Sequence, residues 1–167
     1  MRQNSMFRSL ICSLAATASI VGVAGGQALP ALADTPFTAL AGSWSGGGQI
    51  RLDDGNSERL TCRALYNSKD GGASLGLSLR CASTSYKIEL RSSLQYDAGK
   101  ISGSWEERTF NASGEVSGKA ANGAMVLAFS GNVTGSMSVT YGGSSQTVSL
   151  KTSGSNLSGL TLSLSKG

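Results

Sequence analysis

Apolar and polar residues alternate one by one along most of the chain beyond Ala41. In one segment, for example, Tyr86, Ile88 and Leu90 are separated by Lys87 and Glu89. The same rhythm recurs over residues 44–52, 60–66, 75–81, 101–105, 137–141, 148–150 and 160–164. Such alternation places one face of a β-strand in a core and the other in water.

Turn signals separate these runs, at 53–56, 69–72 and 97–99, each of which contains both Asp and Gly. The stretch 111–130 is less regular and predicts one thin strand and one more continuously apolar strand. No segment has helical periodicity, and no proline follows Pro36. We therefore predict an all-β fold, a single antiparallel up-and-down barrel of about 8–10 short strands over residues 42–167.

A period of two does not say which face of a barrel is apolar. A barrel that spans a membrane needs strands of about 9–11 residues, whereas the apolar runs here are mostly about five to eight residues long. We therefore expect the processed protein not to span a membrane.

The first 33 residues predict a cleaved signal peptide. A short polar start with Arg2 and Arg8 precedes an apolar stretch at 10–24, and Ala31-Leu32-Ala33 stands before Asp34. The apolar stretch is about fifteen residues, short of the roughly 20 that a membrane-spanning helix needs. We expect cleavage after Ala33 and a periplasmic or secreted protein. Residues 34–41 are then expected to form a flexible N-terminal arm.

The three cysteines divide between the leader and the predicted barrel. Cys12 is lost with the leader, so Cys62 and Cys81 remain in an oxidising compartment and predict one disulfide. A hairpin centred between Gly71 and Gly72 would place them directly opposite each other. Disulfides between adjacent strands fit best at non-hydrogen-bonded pairs, and this predicts a four-residue loop over 70–73.

Composition excludes several chemistries. The chain has no His, so Ser-His-Asp and Cys-His catalysis and HExxH metal sites are unavailable. A net charge of +4 without a run of Lys or Arg gives no basis for nucleic-acid binding. Glu106 and Glu107 are adjacent and would point to opposite faces of a strand. The turn at 53–56 has too few oxygen ligands for a calcium loop. We predict no catalytic residue, no metal site and no cofactor, and hence a protein that is not an enzyme.

Five large aromatic residues fall on the same face of their predicted strands as the alternating apolar residues, and Phe129 is a candidate sixth. They are Trp44, Tyr66, Tyr86, Trp105 and Tyr141. They either pack a core or line a barrel mouth that holds a small ligand. Many other inward positions carry only Gly or Ala, which indicates either close backbone packing or a void. These positions are Gly46, Gly48, Ala64, Gly103, Ala112, Gly114 and Gly118. We predict an apolar pocket bordered by both tryptophans and some of the tyrosines.

Short motifs carry three resemblances. Gly42-Ser43-Trp44 is similar to the Gly-x-Trp opening of the calycin group, the lipocalins and avidin-like proteins. An exported Gly-x-Trp barrel with one disulfide also resembles periplasmic protease inhibitors of the metalloprotease-inhibitor type. The segments 41–48, 62–64, 79–83 and 101–108 resemble a family of short exported alphaproteobacterial proteins of unknown function. This last resemblance implies compartment and length, but no activity.

Two functions of different classes stay open. The first is a carrier or sensor that binds an apolar or amphipathic small molecule inside the barrel. The second is a protein-interaction module that engages an exported partner, such as a protease inhibitor whose arm at 34–41 inserts into an enzyme, or an envelope-associated structural protein. A hollow interior would favour the first, and a filled barrel with an extended arm would favour the second.

Overall fold

The computed structural model describes residues 35–167, which form a closed antiparallel barrel of ten strands. Each strand pairs with the next along the chain, and the first pairs with the last. The elements are α1 (Pro36–Leu40), β1 (Gly42–Leu52), β2 (Ser57–Lys69), β3 (Ser74–Ala82), β4 (Lys87–Asp97), β5 (Lys100–Glu107), β6 (Ala112–Ala121), β7 (Ala124–Gly131), β8 (Thr134–Gly142), β9 (Ser145–Ser153) and β10 (Leu157–Lys166), with a 3-10 turn at Asp70–Gly72 between β2 and β3. The predicted up-and-down barrel is confirmed, at the upper end of the expected strand number.

The predicted signal peptide at 1–33 lies outside the described residues. Within residues 35–167, no helix is long and apolar enough to cross a membrane.

The strands are longer than the apolar runs that predict them. They extend from eight residues in β5 to thirteen in β2, because polar positions at both ends also pair. Burial alternates as expected: in β2, Leu60, Cys62, Ala64 and Tyr66 are buried and the residues between them are exposed. Apolar side chains therefore face the inside of this barrel, and its outside is mostly polar.

The two ends of the barrel differ. At one end lie helix α1 and the turns at 70–73, 98–99, 122–123 and 143–144, and we call this the closed end. At the other lie the turns at 53–56, 83–86, 108–111, 132–133 and 154–156, and we call this the open end.

The hairpin of β2 and β3 has the predicted register and loop. Cys62 pairs with Cys81 and Tyr66 pairs with Leu77, and the last pair before the turn leaves a four-residue loop over 70–73. The two cysteines are disulfide-bonded, with their Cα atoms 4.1 Å apart. This short distance is typical of a non-hydrogen-bonded pair, so the predicted disulfide and its reasoning are confirmed.

The segment expected to be a flexible arm is instead helix α1, and this expectation is wrong for residues 35–41. Thr35 caps the helix by accepting a hydrogen bond from the Thr38 N–H at 3.3 Å, and Pro36 occupies the first turn. Phe37 and Leu40 are both 0% exposed. The helix forms because these two side chains are buried against the closed end of the barrel.

Three contacts from the barrel hold helix α1 in place. The Trp44 indole Nε1 donates a hydrogen bond to the Leu40 carbonyl at 2.7 Å. Lys166 Nζ donates to the Ala39 carbonyl at 3.3 Å and lies 5.6 Å from the centroid of the Trp44 ring. These bonds satisfy carbonyls at the helix C-terminus that have no partner within so short a helix.

The third contact requires glycine at position 72. The Thr35 hydroxyl donates a hydrogen bond to the Gly72 carbonyl at 3.0 Å. Gly72 has φ +92°, and a Cβ there would overlap the Thr35 hydroxyl. A side chain at this position would therefore push the helix away from the hairpin.

The inward glycines lie where the backbone of a neighbouring strand comes close. A Cβ at Gly46, Gly48, Gly103, Gly114 or Gly118 would run into a backbone carbonyl of the neighbouring strand. These glycines lie on β1, β5 and β6, on opposite sides of the ring of strands. Glycines at such positions let a sheet bend sharply, so they shape the barrel wall and do not by themselves create a void.

Candidate functional site

Inward-facing apolar side chains are not equally buried along the barrel. Those on β1 and β2, and all on β10 except Leu157, are almost fully buried, whereas several in the middle and open half of the other strands are only partly buried. We call this second group the apolar bowl, formed by Leu79, Ile88, Trp105, Phe129, Met137 and Leu150. Because inward side chains keep some exposure, solvent reaches the barrel interior from the open end.

Trp105 is the largest side chain of the bowl, and its position depends on a glycine. Its indole Nε1 donates a hydrogen bond to the Ser130 carbonyl at 3.2 Å, and its ring packs edge-on against Phe129 with centroids 5.9 Å apart. Both partners lie on β7, two strands from β5. The intervening β6 presents Gly114 opposite Trp105, so no side chain blocks the indole from crossing.

The rim of the bowl carries two further aromatic rings. Tyr86 and Phe110 lie in the turns of the open end, with ring centroids 6.4 Å apart. Phe110 is 59% exposed. The Glu107 carboxylate stabilises the turn at 108–111, which contains Phe110. It accepts hydrogen bonds from the Phe110 N–H at 2.6 Å and the Glu89 N–H at 2.7 Å.

A second carboxylate lies at the same end. Glu58 accepts hydrogen bonds from the Ser83 hydroxyl at 2.6 Å and the Ser85 N–H at 3.1 Å. The bond from Ser83, and then those from Ser85, lower the pKa of Glu58 from its usual value. This carboxylate is therefore ionised at neutral pH.

The closed end holds the other predicted aromatic residues. Trp44 and Tyr66 are 2% and 7% exposed, and their rings meet edge-on with centroids 6.4 Å apart. The Tyr66 hydroxyl and the Gln146 amide bond each other, with Gln146 Nε2 donating at 2.9 Å. Burial raises the pKa of Tyr66, and the bond to Gln146 opposes this in part. Tyr141 is only partly buried, and burial followed by the nearby Tyr96 raises its pKa.

The five predicted site residues are thus divided between the two ends. Trp44, Tyr66 and Tyr141 lie together beneath or beside helix α1, and Trp105 and Tyr86 lie at the open end. The structure does not bring the two tryptophans to one pocket. A ligand-binding role for each of the five remains a prediction.

Most of the bowl has no signal of its own in the sequence. Leu79, Ile88, Met137 and Leu150 occupy inward-facing positions of their strands, and the alternation does not separate them from residues of the buried core. Gln146 was also missed, since a polar residue at an inward position gives no signal until its partner Tyr66 is known.

Two grooves lie on the outside of the barrel. The larger, about 470 Å³, is bounded mainly by outward side chains of β4, β5 and β6 near the closed end. The smaller, about 230 Å³, follows the hairpin of β8 and β9. Both are open to solvent and lie apart from the bowl.

The barrel is similar to solved structures of other proteins. The crystal structure of Rv2717c from M. tuberculosis matches with a TM-score of 0.64 and 14% identity over 78% of this chain and 94% of that chain. The S-type phycobiliprotein lyase CPES from Guillardia theta matches with a TM-score of 0.53 and 14% identity over 78% of this chain and 90% of the lyase. Both show the fold alone, and they agree with the resemblance to calycin architecture.

No protein-family model matches the chain, and no curated protein is significantly similar to it in sequence. The resemblance to short exported alphaproteobacterial proteins therefore stays an expectation.

Proposed function

We propose that the protein binds a small apolar or amphipathic molecule in the apolar bowl, without catalysing a reaction on it. The observation that carries the proposal is the partial exposure of inward apolar side chains in a barrel whose other end is plugged by helix α1. Apolar surface left in contact with water inside a concave site is the usual setting of a ligand site.

The barrel architecture supports this proposal. Eight strands enclose an interior just wide enough to be filled by side chains or to hold one small ligand, and the interior widens with strand number. This barrel has ten strands. A phycobiliprotein lyase shares the fold, and that likeness is compatible with a barrel that receives small molecules.

The alternative of an interaction module has less support. It relied on a free arm at 34–41, whereas Phe37 and Leu40 are buried at the closed end.

The two tryptophans of the chain allow a site-specific test, since they report on opposite ends. We would titrate the Trp44→Phe and Trp105→Phe proteins with N-phenyl-1-naphthylamine, an uncharged apolar probe. We expect saturable quenching in Trp44→Phe, where Trp105 is the reporter, and little quenching of Trp44 in Trp105→Phe. We also expect Trp105→Ala to weaken binding as read from the probe's own fluorescence. Quenching that does not saturate, or that arises from Trp44 alone, would contradict the proposal.

We also propose that this function is performed after export. The motivation is the order of charged, apolar and Ala-Leu-Ala segments over residues 1–33. N-terminal sequencing of protein recovered from the periplasm or medium should begin at Asp34. Recovery of only a full-length chain in the cell interior or inner membrane would refute it.

A further inference from the structure

We propose that the apolar bowl discriminates by charge, accepting ligands whose polar end is uncharged or cationic and rejecting the same hydrocarbon carrying a carboxylate or phosphate. This inference rests on the proposed function and names its ligand class. Three independent features of the described residues support it.

The first feature is the placement of the cationic side chains. Every Lys and Arg within residues 35–167 is exposed. On β2 to β4, for instance, Arg63, Arg80 and Arg91 occupy the outward positions, and the inward neighbours of each are apolar or uncharged. An anion inside the bowl would therefore lose its hydration without gaining a counter-charge, which is strongly unfavourable.

The second feature is that polar groups near the bowl already have partners. Trp105 Nε1 donates to the Ser130 carbonyl, and the Ser92 hydroxyl donates to the Ser104 carbonyl at 2.7 Å. In the described part of the chain, no buried side-chain nitrogen or oxygen lacks a hydrogen-bond partner. Among the buried side chains, no donor is thus left free to bind a carboxylate or phosphate oxygen.

The third feature is the sign of the charge at the mouth. Among the acidic side chains of residues 35–167, Glu58 and Glu107 are the two that are not fully exposed. Glu58 pairs with the buried Ile50, and Glu107 pairs with the buried Ala112. Both glutamates therefore occupy inward-facing positions of their strands. Cations at the same end, such as Arg108 in the turn at 108–111, are exposed, so the two inward carboxylates are the charges nearest to an entering ligand, and they oppose an anion and tolerate a cation.

The test compares three molecules with the same twelve-carbon chain, each used below its solubility limit or micelle concentration. Dodecanol is neutral, dodecyltrimethylammonium is cationic, and dodecanoate is anionic at pH 7.5. Each would be used to displace N-phenyl-1-naphthylamine from the wild-type protein. We expect dodecanoate to bind at least about tenfold more weakly than dodecanol, because an unpaired anion must be desolvated.

The outcomes separate this inference from the proposed function. If none of the three displaces the probe and the probe itself does not bind, the proposed function fails. If dodecanoate binds as tightly as dodecanol, the bowl binds ligands but the charge selectivity is wrong.

Two adjacent serines on β4 provide matched variants. Ser92 is partly buried and pairs with Trp105, so Ser92→Lys adds a cation to the bowl; Ser93 is exposed, so Ser93→Lys adds the same charge to the outside. We expect Ser92→Lys to tighten dodecanoate binding about tenfold and to weaken dodecyltrimethylammonium binding. Ser93→Lys should leave both unchanged. Equal gains in the two variants would overturn the inference, since net charge alone would then explain them.

A third variant keeps the inference testable if Ser92→Lys does not fold. Glu58→Gln removes a negative charge at the mouth but keeps an oxygen that can accept the Ser83 hydroxyl bond. We expect it to narrow the gap between dodecanoate and dodecanol about twofold to threefold. An unchanged gap in a folded protein would contradict the role of the rim carboxylates.

Discussion

Truncating Phe37 to alanine tests whether helix α1 closes the barrel in solution. The Phe37 side chain is 0% exposed, and its ring packs edge-on against Tyr96 with centroids 5.9 Å apart. Removing a fully buried phenyl ring from a core costs about 3–5 kcal/mol, as lost burial plus the cavity left behind. We therefore expect Phe37→Ala to lower the free energy of unfolding by about 3 kcal/mol.

The lower end of that range is the better expectation because helix α1 has five residues and lies at one end of the described chain. A short terminal segment can undock while the barrel stays folded, and the loss cannot exceed the free energy of that undocking. Undocking would also break the bond between Trp44 Nε1 and the Leu40 carbonyl and admit water to the indole.

Urea unfolding followed by far-UV circular dichroism would measure the change, with Trp44 emission recorded in a Trp105→Phe background. The matched control is Ala39→Ser, at an exposed position of the same helix, which should shift stability by no more than about 0.5 kcal/mol. A loss below about 1 kcal/mol in Phe37→Ala, with unchanged Trp44 emission, would refute the docked helix.

Three further predictions concern the barrel wall. Replacing both Cys62 and Cys81 by alanine should cost about 3 kcal/mol in urea unfolding, as chain entropy predicts for a 19-residue separation; an unchanged midpoint would contradict this. Gly114→Ala should cost about 1–3 kcal/mol and shift Trp105 emission, since its Cβ would overlap the Ser130 carbonyl; a neutral effect would mean that β6 moves freely. Burial raises the pKa of Tyr66 in the folded protein above its unfolded value. The contribution of Tyr66 to the free energy of unfolding is therefore complete below about pH 10 and is lost as pH rises through the higher folded pKa. We expect the free energy of unfolding to fall more between pH 9 and 11 in the wild type than in Tyr66→Phe.

The alternation of apolar and polar residues was sufficient to predict the strands and the hairpin of β2 and β3. Alternation over residues 60–66 and 75–81, together with the need to oppose Cys62 and Cys81, predicts the loop at 70–73 that is observed. These inferences succeed because hairpin pairing depends on neighbouring residues and on a strict period of two.

Helix α1 was missed because five residues are too few to show a helical period. A signal was nevertheless present: Thr35 before Pro36 is a favourable N-cap and first-turn pair. Tertiary contacts hold the helix, since Phe37 and Leu40 gain stability only from burial against the closed end, which exists once the strands have formed the barrel.

The position of the aromatic residues along the barrel shows where local pattern stops being informative. Parity says that Trp44 and Trp105 both point inward, and both do. It does not say at which end, because strands tilt in a closed barrel and each pairing shifts the level of the next strand. Trp44 stands near the start of β1, at the closed end, whereas Trp105 stands near the end of β5, at the open end. In an up-and-down barrel, residues near the start of odd-numbered strands lie at the end opposite to residues near their finish. Strand number and position within the strand therefore distinguish a residue at the closed end, such as Trp44, from a residue of the apolar bowl, such as Trp105. Residue type alone does not.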